Sequence, residues 1–155
     1  MKPNYLTILI TTLCIFFNAC HNSNTAPQLQ LADSLIDKRA DSALCILEKL
    51  SIEEISNKSA KAMYALLLTE ALDKNFKSHR NDSLILIAVD YYKDNSNNKL
   101  KTKAYYYLGR VYQDNKEYIK ATEAYLTSSN IKYIDNQLVT VRKVQMICKC
   151  KYKTI

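Results

Sequence analysis

The chain has 155 residues, which suits one domain, and a formal net charge of +7. Its single glycine leaves no material for a Gly-rich phosphate loop or for glycine-dependent hairpin turns. Its five cysteines form neither a CxxC pair nor a disulfide framework, and no HExxH run is present.

The first twenty residues stand apart from the rest. Lys2 supplies a positive charge, residues 5–17 are largely apolar and uncharged, and Ala19 precedes Cys20. A short cationic segment, an apolar core and a small residue read as a secretory signal. The apolar run is shorter than the about 20 residues needed to span a bilayer. Residues 1–20 resemble a bacterial lipoprotein signal, in which cleavage before a lipid-modified cysteine leaves that residue at the mature N-terminus. Phe17 and Asn18 depart from the Leu and small residue more common there. The resemblance implies residues 1–19 as signal peptide and Cys20 as the lipidated residue. The alternative is an ordinary signal or an uncleaved anchor with Cys20 incidental. Residues 21–27 are polar and non-periodic and read as a tether, making 20–27 the anchor segment. No acidic cluster follows Cys20, which points to the periplasmic side of a Gram-negative envelope.

Helical periodicity then recurs. Residues 28–38 and 41–50 make a first pair, with Ala43, Ile46, Leu47 and Leu50 on one face and Asp41 or Ser42 as cap. Cys45, among apolar neighbours, reads as a buried small residue. Residues 59–74 follow with a stripe of Ala60, Tyr64, Leu67, Leu68 and Ala71. Residues 75–81 read as a loop, with Asn81 or Asp82 capping a helix over 82–93 that buries Leu84, Ala88, Tyr91 and Tyr92. A polar turn leads to a helix over 100–114, which Asn115 is placed to end. Residues 117–129 pair with it through Tyr118, Ala121, Ala124 and Tyr125. In 136–155, Leu138, Val141, Val144 and Cys148 share a face, which fits a last helix covering the open end, with a basic tail. Residues 131–155 hold six cations and one acid, leaving the body close to neutral once Lys2 is removed. The expected fold class is all-α, with three helical pairs over 28–135.

The run Tyr105-Tyr106-Tyr107-Leu108-Gly109-Arg110-Val111-Tyr112, with Ala121 and Tyr125 after it, resembles the tetratricopeptide repeat. Tyr105 stands at the large aromatic position, Leu108, Gly109 and Tyr112 match as they are, Ala121 fits the small position and Tyr125 replaces the usual Phe. Ser128 substitutes for the second Ala, and Tyr133 departs from the closing Pro. The segment 102–135 has the family's length of about 34 residues. Earlier copies are weaker: Tyr64, Leu67, Leu68 and Ala71, then Ala88 and Tyr92, then Ala43 and Leu47. Glycine inside a helix costs about 1 kcal/mol against Ala, so Gly109 marks a close approach by a neighbouring helix. The resemblance implies antiparallel helix pairs stacked as a short tetratricopeptide-like solenoid.

It also implies a protein or peptide partner on a concave surface lined by Lys103, Tyr106, Arg110 and Gln113, whose spacing of three and four keeps them on one helical face. Lys103 and Arg110 favour an acidic or carboxylate-bearing partner; the alternative is a solvated face bearing one Tyr. No cofactor is expected, nor a metal, since Cys148 and Cys150 make an isolated CxC pair. Export argues against nucleic acid despite the basic tail. Glu53 with Glu54, and Glu70 with Asp73, read as solvated or capping carboxylates, and His79 as a surface residue in a charged loop. The chain thus reads as a membrane-anchored interaction scaffold and not an enzyme. The alternative is the sensory repeat module of a shortened signal-transduction protein.

Overall fold

The computed structural model describes residues 25–79 and 81–131. They form helices α1 (Thr25–Leu35), α2 (Ala40–Leu47), α3 (Lys58–Lys74), α4 (Ser83–Tyr92), α5 (Asn98–Asp114) and α6 (Tyr118–Asn130). No strand occurs among the described residues, so the all-α expectation holds there. The expected signal peptide, Cys20 and the covering segment 136–155 lie outside the described residues.

Local chemistry sets the longer helices. Asn57 Oδ1 accepts from the backbone N–H of Ser59 (2.8 Å) and Ala60 (3.1 Å) and starts α3. Asn97 Oδ1 accepts from Leu100 N–H (3.2 Å) and starts α5. Both helices end in the same way. After α3, Phe76 turns left-handed (φ 56), its N–H donates to Asp73 O, and Lys77 N–H donates to Leu72 O. After α5, Lys116 does the same (φ 64), donating to Gln113 O while Glu117 N–H donates to Tyr112 O. These paired bonds satisfy carbonyls that the last turn leaves open.

Several expectations need correction. Asn115 is not the left-handed residue, having φ −79; Lys116 takes that role. The helix begins at Thr25, inside the segment read as a tether. Pro27 is tolerated there because first-turn N–H groups lack intrahelical partners anyway. Neither Asp41 nor Ser42 caps α2, which starts after Arg39 without a side-chain cap bond and stops at Leu47. Cys45 is exposed, because α2 buries Ala43, Leu44 and Leu47, and Cys45 stands about 100° round the helix from Leu44. On α4 the buried residues are Ile85, Ala88, Val89 and Tyr92, with Leu84 and Tyr91 only partly covered.

Each helix packs on the next, and the odd-numbered helices also pack on each other, α1 on α3 and α3 on α5. The apolar core follows that order. Leu29, Ala32, Ile36, Leu44 and Leu47 meet Tyr64, Leu67 and Ala71 of α3, with Ile55 from the α2–α3 connection filling the same cluster. The other face of α3 (Ala62, Ala65, Leu66) meets Ile85, Ala88, Val89 and Tyr92 of α4 and Ala104, Tyr107, Leu108 and Val111 of α5. Ala121 and Tyr125 of α6 close onto Tyr106, Tyr112 and Tyr118.

Gly109 sits where α6 crosses α5. A Cβ on it would lie 2.5 Å from Tyr125 Cδ1 and 2.9 Å from Cζ, and closer still to Cε1. The absent methyl is therefore replaced by a fully buried phenol ring. Ser128, at the expected small position, is also buried, and its hydroxyl donates to Thr102 O (2.7 Å).

Candidate functional site

The pattern Lys103, Tyr106, Arg110 and Gln113 does share one side of α5, and all four side chains are half-buried. They do not stand free of the fold. Arg110 Nε donates to Asp73 Oδ1 of α3 (2.6 Å), and its Nη1 donates to Gln113 Oε1 (3.3 Å). The Tyr125 hydroxyl donates to the same amide oxygen (2.9 Å), so Gln113 joins the Arg110 fork to the core ring beneath Gly109. Tyr106 stacks edge-on against Tyr107, with centroids 5.0 Å apart, and lies 5.9 Å from Tyr125. Lys103 forms an ion pair with Glu70 Oε2 of α3.

Glu70 organises this face. It is 2% exposed. A carboxylate that far from water must be compensated. Lys74 Nζ lies 3.0 Å from its Oε1 and Lys103 Nζ faces its Oε2. The Lys103 ammonium compensates Oε2, and the Tyr107 phenol also bonds to this carboxylate. Lys74 also donates to Asp37 Oδ1 at 2.5 Å and to Ile36 O at 3.3 Å, tying the end of α3 to the chain just after α1. Burial works against the Lys74 ammonium, but Asp37 and Glu70 outweigh it and raise its pKa. The hydrogen bond from Lys74 in turn holds Asp37 below its ordinary 3.8. Burial likewise opposes the Arg110 charge, and Asp73 more than restores it. Burial above all, reinforced by the charges of Glu70 and Asp73, pushes the Tyr107 phenol far upward.

Glu70 and Asp73 are thus corrected from solvated carboxylates to the acidic half of an ion-pair row, Asp37–Lys74–Glu70–Lys103 and Asp73–Arg110. His79 is corrected too: it is 7% exposed, with Nδ1 2.7 Å from Asp114 Oδ2 and Nε2 3.1 Å from Thr69 O. The ring pins the α3–α4 connection against the end of α5 and the middle of α3. Sequence reasoning missed Asp37, Glu70, Asp73, Lys74 and His79 as members of this face. A usable signal was present. Glu70 and Asp73, three apart on α3, are complementary to Lys103 and Arg110 of α5 once two like helices are set side by side, and Lys74 is placed at i+4 to pair with Glu70.

The half-buried Tyr105 and Tyr112 pack on the core cluster shared by α3, α4 and α5, with Lys120 Nζ 5.3 Å from the Tyr112 ring centroid. Among the described residues no group of three or more His, Cys, Asp or Glu side chains is placed to hold a metal. None of their helices is long and apolar enough to cross a membrane. The face can do two things chemically: hold a chain segment by polar and aromatic contacts, and exchange internal ion pairs for external ones. No protein-family model, curated protein or solved structure matches the chain.

Proposed function

We propose that the chain is a lipid-anchored interaction scaffold, a short tetratricopeptide-like stack that holds a protein or peptide partner on the face shared by α3 and α5. The supporting observation is the aligned, half-buried set Lys103, Tyr106, Arg110 and Gln113 on a helix whose opposite side is committed to core. Tyr and Arg side chains held in place by neighbours make good interface anchors, since little freedom is left to lose on binding. The order of helix contacts and the Gly109–Tyr125 crossing support the stacked-pair reading of the fold. The signal-like residues before Thr25 support a lipid anchor at Cys20 and a periplasmic setting.

Internal pairing changes the expected partner chemistry. Lys103 and Arg110 already face Glu70 and Asp73, so a purely acidic segment competes with carboxylates held in place. A segment bearing both signs, or one that stacks on Tyr106 and bonds to the free edge of the face, leaves the row intact. The test is affinity capture from a membrane extract with the lipidated full-length protein, alongside Lys103→Ala and Tyr106→Ala variants checked for an unchanged helical spectrum. Recovery of the same protein at an equal level by both folded variants refutes the face. Equal partition of wild type and Cys20→Ala into the soluble fraction refutes the anchor.

A further inference from the structure

We propose that the partner face extends across α1, α3 and α5 and has a built-in direction: it takes an extended peptide segment that sets a cation against α1 and an anion against α5, about five or six residues apart. The inference deepens the partner-face reading above and rests on it.

The three odd-numbered helices form one layer, with α3 packed on both α1 and α5. They run the same way. Lys74, at the end of α3, bonds to Asp37 Oδ1 (2.5 Å) and Ile36 O (3.3 Å) just past the end of α1. Lys103 and Arg110 of α5 meet Glu70 and Asp73 of α3 in matching order. Charge changes sign from one edge of this layer to the other. At the α1 edge stand Asp33 and Asp37, both exposed and one turn apart on one side of the helix, the side that Lys74 reaches. At the α5 edge stand Lys99 and Lys103, also one turn apart, the first exposed and the second half-buried over Glu70. Between the edges, Lys74 and Glu70 of α3 neutralise each other. Asp33 and Lys99 make no ion pair among the described residues. The nearest opposite charges in sequence, Lys38 for Asp33 and Asp94 for Lys99, each stand five residues away in a connecting turn (38 − 33 = 99 − 94 = 5). The two edges lie within electrostatic reach of one another. After the Lys74 hydrogen bond, and against burial, the charges of Lys103 and Lys99 also lower Asp37.

This arrangement fixes both the order and the spacing of charge in an occupant. Packed helices lie about 8–10 Å apart, so the axes of α1 and α5 are about 16–20 Å apart across α3. An extended chain rises about 3.3 Å per residue and covers that span in about five or six residues. A segment of one sign is attracted at one edge and repelled at the other, and like charges set face to face cost more than an attraction forgone. A segment carrying both signs the wrong way round is repelled at both edges. An uncharged middle crosses the Lys74–Glu70 pair without breaking it. Tyr106, three residues on from Lys103 and half-buried, offers a ring beside the anion.

Fluorescence anisotropy with the full-length protein at low ionic strength tests the direction. The probes are three labelled, end-capped peptides: one with an Arg pair and a Glu pair about five residues apart, one with Glu at both places and one with Arg at both. The mixed peptide is expected to bind roughly ten-fold more tightly than either single-sign peptide. Asp33→Lys and Lys99→Glu, both at exposed positions and checked for an unchanged helical spectrum, should each weaken it roughly five-fold or more. A photo-crosslinking residue placed beside the Arg pair should label α1, and beside the Glu pair α5. The proposal is overturned by a single-sign peptide that binds as tightly as the mixed one, by mixed-peptide binding that both variants leave unchanged, by labelling in the reverse order, or by binding of every peptide weaker than about 1 mM. Tyr106→Ala separates the direction from the face. A single-sign peptide that binds best and is lost in that variant leaves the face standing without the direction. A mixed peptide that binds Tyr106→Ala undiminished removes the face and the direction with it.

Discussion

Gly109→Ala separates helix propensity from packing, because the two act with opposite sign. As an isolated helical position, replacing Gly with Ala stabilises by about 1 kcal/mol. In this fold the new methyl would sit 2.5 Å from Tyr125 Cδ1 and 2.9 Å from Cζ. Real carbon–carbon contacts fall near 3.5–4.0 Å, so the ring must retreat by about an ångström. Tyr125 is fully buried and its hydroxyl is bound to Gln113, so the ring cannot swing aside as an exposed chain end would. Overpacking of this kind costs about 1–3 kcal/mol, and more when several contacts are violated together. Three ring carbons are violated here, so the upper end applies, and the net loss after the propensity gain is about 2 kcal/mol. At about 4–8 °C per kcal/mol for a domain near this size, Tm falls by about 8–16 °C. Thermal unfolding followed by circular dichroism at 222 nm measures it. A double-mutant cycle with Tyr125→Val supplies the control, since removing the ring should leave Gly109→Ala neutral or mildly stabilising. A Tm for Gly109→Ala equal to or above that of wild type, or the same loss in both backgrounds, refutes the crossing of α5 and α6 at this residue.

The left-handed residues give a second prediction: Lys116→Gly and Phe76→Gly each remove a Cβ from an unfavourable backbone region and should raise stability by about 0.5–1 kcal/mol, visible as a higher Tm. Because Phe76 is 97% exposed, its replacement removes almost no packing, and a lower Tm would show that the ring has a contact in solution. His79→Ala should destabilise by about 1–3 kcal/mol in denaturant unfolding, since Asp114 and the Thr69 carbonyl lose their partner; a change under about 0.5 kcal/mol returns His79 to the surface. Alkaline titration supplies the last. Burial first, and the neighbouring Tyr91 and Asp33 after it, push Tyr92 up to about 12, and Tyr64 and Tyr107 also move upward. A folded-state value above the unfolded one of about 10 means a contribution fully present below pH about 10 and lost as pH rises towards 12. Absorbance at 295 nm should therefore show tyrosines that ionise only with unfolding; a single transition of every tyrosine near 10 in folded protein contradicts the packing.

The existence and order of the six helices were legible in the chain, because apolar spacing acts within a few residues, while the start of α1 and the cap and end of α2 were not. The stripe through Tyr64, Leu67 and Ala71 and the need for a close neighbour at Gly109 were legible in that local chemistry, whereas the Asn97 cap that starts α5 at Asn98 was read as part of a polar turn. Burial of polar groups was not. Glu70 lies inside because Lys103 and Lys74 come to it, and Lys103 is 103 − 70 = 33 residues away; His79 lies inside because Asp114 is 114 − 79 = 35 residues away. Read alone, Glu70 is a lone carboxylate in an apolar helix and His79 a polar ring in a charged loop, and solvent is the cheaper place for either. Cys45 failed in the opposite direction, since apolar neighbours in the chain say nothing about which side of α2 meets α3. That Lys103 and Arg110 face carboxylates of α3 before any partner arrives came from packing, because charge pairing across helices depends on the register between segments, which the spacing of Glu70 and Asp73 within α3 leaves open.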